Sequence, residues 1–460
     1  MTAASKHSLP TLEYTVIGVG ATGLSCARYF QNRGDSFALC DTRSSPPGAA
    51  DVLREFSGVD IYFGELPFEV LRKSKHLLVS PGVSLETPAI KQVLDQGVIL
   101  SSDLDLFRAD ITCPIACVTG SNGKSTVATL LAEMAQAAGI KVCLCGNIGL
   151  PVLDAIDESV ELYVLEVSSF QLERSAALNA SVATILNISA DHMDRYSDLQ
   201  SYAASKHRVF HNADKCVVNR DDVASNIESG EVYSSFGLSA PAAGLFGVAQ
   251  VADKSCLMYG DSPLLPISDM RLKGTHNVSN ALAALALAQA VGISLSVACD
   301  VLRTFAGLPH RCEHIANIEG RTFINDSKGT NIGATIAALE GLGAADERRM
   351  VLIAGGVGKG ADFGEMAEAV SAHAHSVLLY GEDAEKIAVA LEAHTAIYRC
   401  TDLTDAVRQA YRLSQAGDTV LFSPACASFD MFDNFEQRGN RFRESVLAFR
   451  DRVLVTGASQ

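Results

Sequence analysis

The clearest chemistry in the chain lies in seven residues, Gly120-Ser121-Asn122-Gly123-Lys124-Ser125-Thr126, directly after the apolar run Ile115–Val118. A glycine-rich turn between a strand and a helix lets backbone N–H groups point at phosphate oxygens. The positive end of the following helix adds to the attraction. Lys124 has the reach to meet a transferred phosphate, Ser125 has a hydroxyl suited to magnesium, and Thr126 adds a second hydroxyl in the first turn. The spacing departs from the common Walker form, since position 118 is Val rather than Gly. A plain glycine turn opening a helix is the bland alternative. Strand, GxxGKST and helix in that order favour use of ATP.

Two further glycine turns follow strand-like runs. Gly18-Val19-Gly20-Ala21-Thr22-Gly23 comes after Tyr14–Ile17 and fits GxGxxG, and Asp41 stands at the end of the run Phe37–Cys40. Alone this suggests NAD, but the same geometry holds any nucleotide diphosphate, and Arg43 offers a cation for phosphate or a donor for a base. An oxidoreductase therefore stays open here, as does a non-catalytic nucleotide-binding module, although an oxidoreductase leaves the phosphate loop idle. The third turn, Gly355-Gly356-Val357-Gly358-Lys359-Gly360, follows Met350–Ala354. Gly360 stands where a magnesium-binding hydroxyl is needed, so no second ATP site is expected. Lys359 is either a cation for a substrate carboxylate or a solvated surface lysine.

A third constellation is carboxylate-rich. Leu162–Leu165 runs into Glu166-Val167-Ser168-Ser169, and Val182–Leu186 leads to Asn187, Asp191, His192, Asp194 and Arg195. The helical stretch Leu199–Phe210 then carries Lys206. An acid at the end of a buried strand beside a phosphate loop suits Mg²⁺, directly or through water. A lone His or Lys is usually structural; the cluster, at the end of a neighbouring strand, points to function.

The elements that must position these groups are short β-rich runs alternating with helical patterns, which predicts parallel α/β architecture. Each glycine turn reads as the first strand-to-helix turn of its own nucleotide-fold-like unit, with ligands at the carboxyl ends of the strands. Three domains are expected, in keeping with 460 residues. The boundaries fall near Ser101–Asp110 and Gly307-Leu308-Pro309, giving 1–108, 109–308 and 309–460, with Ser239–Gly244 a loop inside the second. The net charge of −16, from 37 basic and 53 acidic residues without a long basic run, argues against a nucleic-acid surface but not against small anionic ligands. The twelve cysteines form no CxxC pair and no histidine has zinc spacing, so buried thiols in a reducing cytosol are expected. Met1–Pro10 lacks the apolar core of a signal peptide, and the most apolar helical stretch, Ala281–Ile293, is too short for a bilayer. A cytoplasmic protein follows.

Taken in order, these segments resemble the Mur ligases of peptidoglycan synthesis over nearly the whole chain. The resemblance rests on Gly18–Ser25, Asp41-Thr42-Arg43, Ser80-Pro81-Gly82, the loop at 120–126, Gly146–Gly149 and Leu165–Glu173. It continues through Asp191–Tyr196, His276-Asn277 with Asn280, Gly307–Arg311, Asn325–Asn331, Ser423–Ser428 and Asn434–Gly439. The phosphate loop is common to the family. The segments at 80–82, 191–196, 423–428 and 434–439 resemble those of the member that adds D-glutamate.

The resemblance implies a Rossmann-like N-terminal domain, a central P-loop ATPase-like domain and a C-terminal Rossmann-like domain. It implies an ATP-dependent ligase joining D-glutamate to UDP-N-acetylmuramoyl-L-alanine through an acyl phosphate, working as a monomer without nucleic acid. Gly20, Ala21, Thr22, Asp41, Thr42, Arg43, Gly82, Asn147 and His192 would bind the UDP-sugar substrate. Gly120, Ser121, Asn122, Gly123, Lys124, Ser125, Thr126, Asn280, Arg311 and Asp326 would bind ATP. Thr330, Lys359, Ser428 and Phe435 would bind D-glutamate. Ser125, Glu166, His192 and Lys206, the last carbamylated by CO₂, would hold two Mg²⁺ ions, and Lys124, His192, Lys206 and Lys328 would be catalytic. Val357 and Phe429 stand where the family more often has an acid and a leucine.

Overall fold

The structure is a computed structural model and describes residues 11–227, 232–343 and 349–457. The first sheet contains β1 (Leu12–Ile17), β2 (Phe37–Asp41), β3 (Asp60–Phe63), β4 (Ser74–Val79) and β5 (Ile99–Ser101), in the order β3-β2-β1-β4-β5. All its pairings are parallel. The strand order reverses between β1 and β4, so the glycine turn after β1 and the Ser80 turn after β4 flank one crevice.

The second sheet contains β6 (Ile115–Thr119), β7 (Val142–Gly146), β8 (Leu162–Glu166), β9 (Val182–Ile185), β10 (Cys216–Asn219) and β11 (Val232–Phe236), in the order β11-β10-β9-β6-β8-β7. It too is parallel. The register pairs Val118 with Glu166 and Thr119 with Ile185, so the phosphate loop leaves β6 between Glu166 on one side and Asn187 on the other. Behind it the helix Thr275–Ala290 is fully buried from Ala281 to Ala288 and packs on the helix Lys124–Ala137. That burial accounts for the continuous apolar run expected to reach Ile293. The helix stops at Ala290 because Gly292 turns left-handed at φ +88°. Among the described residues no helix is long and apolar enough to cross a membrane.

Two features depart from the expected all-parallel alternation. β12 (Phe246–Val251), β13 (Lys254–Tyr259) and β14 (Ser262–Pro266) form a small antiparallel sheet. Its two tight turns put Ala252 at φ +53° and Gly260 at φ +53°, the twist that suits two-residue hairpins. The third sheet contains β15 (Glu313–Ile318), β16 (Arg321–Asn325), β17 (Met350–Ala354), β18 (Ala374–Leu379), β19 (Ala396–Arg399) and β20 (Thr419–Phe422), in the order β15-β16-β20-β17-β18-β19. It opens with an antiparallel hairpin of β15 and β16, whose turn holds Glu319 at φ +48° and Gly320 at φ +80°. The turn at Gly355 therefore follows the third strand of its unit, not the first. It also does not open a helix: Lys359 and Gly360, both at positive φ, swing the chain into a 3₁₀ turn before the helix Ala367–His373.

Candidate active site

The phosphate loop is shaped by its neighbours. The Ser121 N–H donates to Asn187 O at 2.9 Å and the Asn122 N–H to Asn187 Oδ1 at 2.8 Å, while Ser121 Oγ donates to Ser189 O at 2.9 Å. Gly123 lies at φ +83°, and a Cβ there would stand 2.4 Å from Asn280 Oδ1. No side chain caps the helix that Gly123 precedes, which leaves its first-turn amides for an anion. Lys124 Nζ donates along the loop to Gly120 O at 2.7 Å and Ser121 O at 2.9 Å. Burial lowers the Lys124 pKa, against the pull of Glu166 and Asp191. Ser125 Oγ accepts from Arg311 Nη2 at 2.6 Å, bringing a third-sheet residue onto the loop.

Glu166 is 2% exposed. Its Oε1 accepts from Asn147 Nδ2 at 2.7 Å, and its Oε2 is buried with no donor. A buried carboxylate oxygen without a partner is expensive unless a cation meets it. Lys206 is 1% exposed; its Nζ donates to Gly120 O at 3.0 Å and lies 4.6 Å from the centre of the Tyr202 ring. Burial, followed by the like charge of Lys124, drives the Lys206 pKa well below the usual lysine range despite Asp191 and Glu166. The amine is thus held toward its neutral form. His192 has φ +59° and sets its ring edge-on to Phe170, with centroids 4.8 Å apart. Burial brings its pKa down to about 4, against Asp191, so the imidazole is neutral at physiological pH.

Asn122, Gly123 and Thr126 share a cavity of about 320 Å³ with Asn280, Arg311, Asp326 and Lys328. Asp326 accepts from Ser423 Oγ at 2.7 Å and the Cys312 N–H at 3.1 Å, and burial raises its pKa to about 6. Lys328 Nζ lies 3.8 Å from the Phe435 ring centre; burial, then Arg311, lowers its pKa to about 8. Lys359 is not a solvated lysine: its side chain is 16% exposed and its Nζ donates to Asp191 Oδ1 at 2.5 Å. Asn331 Nδ2 completes this contact between the second and third sheets, donating to Asp191 Oδ2 at 3.1 Å and Asn122 Oδ1 at 3.2 Å. A cavity of about 210 Å³ lies here, lined by Asp191, His192, Asn331 and Lys359. Thr330, Ser428 and Phe435 do not line it. Ser428 is buried, and its carbonyl accepts from the Met431 and Phe432 N–H groups. Phe429 points outward, 75% exposed. The Val357 backbone exchanges hydrogen bonds with Ala427 at 3.0 and 2.8 Å, so the third glycine turn is held by main chain at Val357.

Beside the first sheet, Gly20, Ala21, Thr22, Asp41, Thr42, Arg43 and Gly82 line one cavity of about 580 Å³ with Asn147, which follows β7 of the second sheet; His192 does not line it. A Cβ on Gly23 would stand 1.8 Å from Gly18 O, the close approach that GxGxxG exists to permit. Asp41 accepts the Val19 N–H at 2.9 Å and both the N–H and the guanidinium of Arg43. Burial opposes its ionisation, yet these donors hold its pKa down to about 2. Arg174, which sequence reasoning passed over, and Asn331, which it named only within its segment, work by contacts with distant segments.

Family models match the chain in order: "Mur ligase MurD-like, N-terminal domain" at 12–102, "Mur ligase middle domain" at 118–288 and "Mur ligase, glutamate ligase domain" at 310–426. A protein of Pseudomonas fluorescens named UDP-N-acetylmuramoylalanine–D-glutamate ligase is 47% identical over 433 residues, covering 94% of this chain and 97% of its own. The chain belongs to the Mur ligase family. A Legionella pneumophila Mur ligase of the same name is 45% identical over 447 residues, covering 96% and 99%. Among solved Mur ligases, UDP-N-acetylmuramate-alanine ligase from Thermotoga maritima superposes with a TM-score of 0.59 at 18% identity, covering 95% and 99%. MurF from Acinetobacter baumannii does so at 0.60 and 15%, covering 96% and 93%. At such identities these two establish the shared three-part α/β fold.

Proposed function

We infer that this Mur ligase forms the amide between D-glutamate and the L-alanine carboxylate of UDP-N-acetylmuramoyl-L-alanine, at the expense of ATP, in peptidoglycan precursor synthesis. The observation that carries the reading is one constellation: a phosphate loop, a buried acid with an orphaned oxygen and a buried lysine, with a nucleotide-diphosphate crevice on one side and a lysine-bearing cavity on the other. A lone glycine turn supports phosphate binding but no particular reaction.

A carboxylate must lose an oxygen to become an amide. ATP transfers its γ-phosphoryl group to the L-alanine carboxylate, giving ADP and an acyl phosphate. The neutral amine of D-glutamate attacks the acyl carbon and loses a proton. The tetrahedral intermediate expels phosphate. The protein contributes position and charge. The amides of Gly120–Thr126 cradle the phosphates, with Asn280 and Asp326 on the nucleotide side. Lys124 and Arg311 offset charge on the transferred group. The 580 Å³ crevice takes UDP, with Gly20–Thr22 at the diphosphate and Asp41–Arg43 and Gly82 around the base. Lys359, Thr330, Ser428 and Phe435 serve the amino acid, and Lys328 stands between it and the nucleotide.

Mur ligases draw on ATP and Mg²⁺. The oxygen donors fit a hard cation, the Ser125 hydroxyl and the partnerless Oε2 of Glu166, and His192 and Lys206 would complete the set. With its amine held toward the neutral form, Lys206 could add CO₂ and release a proton to solvent, becoming an anionic carbamate that would suit two Mg²⁺ ions where an ammonium would repel them. Bound there, the cations would neutralise phosphate charge.

The test is phosphate release from ATP with UDP-N-acetylmuramoyl-L-alanine, comparing D-glutamate with L-glutamate and other amino acids. Release is expected only with all three substrates and the D isomer. Equal turnover with L-glutamate, or release that ignores the sugar nucleotide, would overturn the assignment.

A further inference from the structure

Arg174 follows the short helix Ser169–Leu172, just beyond β8 and its terminal Glu166. Its side chain is 2% exposed. Nη1 donates to Phe170 O, and Nη2 reaches the first domain and donates to Val83 O at 2.7 Å. Nε is buried with no partner, and among the described residues the only carboxylate in ion-pair range is Glu173 at 3.6 Å. A guanidinium held this way carries a desolvation cost that its bonds only partly offset. An apolar side chain of similar volume would fill the space at less cost to the fold. The arginine needs another reason, and its acceptor supplies one.

Val83 ends the turn Ser80-Pro81-Gly82-Val83, closed by the Val83 N–H donating to Ser80 O at 2.9 Å. All four residues line the crevice proposed for UDP. The turn's other end is tied to the glycine loop: the Ser80 N–H donates to Ile17 O at 2.7 Å and Ser80 Oγ to Gly18 O at 3.0 Å. One end is thus pinned by the first domain and the other by a residue of the second. The neighbouring seam is separate. Ser175 Oγ and the Ala176 N–H donate to Asp105 Oδ1 at 2.8 and 2.9 Å, away from the crevice lining.

We propose that Arg174 is a positioning residue for the sugar-nucleotide site. By holding Val83 O it fixes the Ser80–Val83 wall of the crevice against the strand that carries Glu166, and so sets where the sugar nucleotide lies relative to the phosphate loop. The proposal rests on assigning that crevice to UDP.

The test uses the full chain, with binding of UDP-N-acetylmuramoyl-L-alanine and of a non-hydrolysable ATP analogue each measured by calorimetry. Arg174→Met is expected to weaken the sugar nucleotide by about tenfold or more, with the ATP analogue bound as before. In turnover the loss falls on KM for the sugar nucleotide rather than kcat. Arg174→Lys, which keeps one donor, recovers part of the affinity, and it carries the test if the methionine variant fails to fold. Ser175→Ala, which loosens only the seam, binds the sugar nucleotide normally. Wild-type affinity in both Arg174 variants, parallel loss of the ATP analogue, or an equal loss in Ser175→Ala overturns the inference alone. Failure of the wild-type chain to bind the sugar nucleotide overturns the UDP assignment, and this inference with it.

Discussion

Gly123→Ala tests whether the phosphate loop is shaped by sterics at one atom. The residue sits at φ +83°, and the new Cβ would lie 2.4 Å from Asn280 Oδ1 and 3.3 Å from Leu186 Cδ1. Left-handed backbone costs an alanine roughly 1–2 kcal/mol. Relieving the contact moves Asn280 off Asn277 Oδ1, which it holds at 3.2 Å, for about another 1 kcal/mol. The free loop can relax away from both strains, but binding ATP must restore the cradle. The whole cost, about 2–3 kcal/mol, then appears in affinity as a loss of about 30- to 150-fold. Gly139→Ala is the control: φ is +80°, yet nothing lies within 4 Å of the added atom and the site is at the far end of the same helix. It should lose stability from strain but not ATP affinity. Calorimetric titration with an ATP analogue and thermal unfolding of both variants separate the two costs. A Gly123→Ala protein that binds the analogue as tightly as wild type would refute the reasoning.

Lys124→Ala should reduce phosphate release by at least about a hundredfold; near-normal turnover would remove it from the phosphoryl site. Lys206→Ala should lose most activity and all response to bicarbonate, and added formate or acetate should restore part of it; a fully active variant would count against the carbamate. Asp41 has a folded-state pKa depressed to about 2, so its contribution to stability is full above its unfolded value near 4 and fades as pH falls toward 2. The gap in unfolding free energy between wild type and Asp41→Asn should therefore be constant around neutrality and close in acid; a gap that widens on acidification would show that the tie to Arg43 is not what stabilises it.

Two of the three glycine turns were readable because glycine's constraint is local: Gly23 must meet Gly18 O and Gly123 must meet Asn280, whatever the rest of the chain does, whereas the turn at Gly355 follows the third strand of its unit and opens no helix. Glu166 was readable as the acid that ends an apolar strand. The antiparallel sheet at 246–266 was missed, although Gly260-Asp261 between two apolar runs is a two-residue hairpin signal. The hairpin that opens the third sheet was missed as well. Arg174 stayed hidden for a different reason, and Asn187 and Asn331 were named within their segments without the contacts that give them a role. The partners of Asn187, Asn331 and Arg174 lie 65, 209 and 91 residues away, and an amide or guanidinium that serves a remote segment leaves no periodicity behind. Lys359 was open between carboxylate binder and surface cation; burial removes the second option, and its present partner is a carboxylate of the protein itself.

That partner has a thermodynamic consequence. With Asp191 at 2.5 Å, the Lys359 ammonium is already ordered and largely stripped of water. On its proposed role, an arriving amino-acid carboxylate does not create an ion pair; it swaps one anion for another. Most of the dehydration and side-chain ordering is done beforehand, and the Coulomb terms nearly cancel. What remains to decide occupancy is shape and the second carboxylate of the guest. An amino acid with an uncharged side chain brings one carboxylate where glutamate brings two, so it has less to set against Asp191, and the protein's own acid acts as a standing competitor that filters the amino-acid pool by the guest's second negative charge.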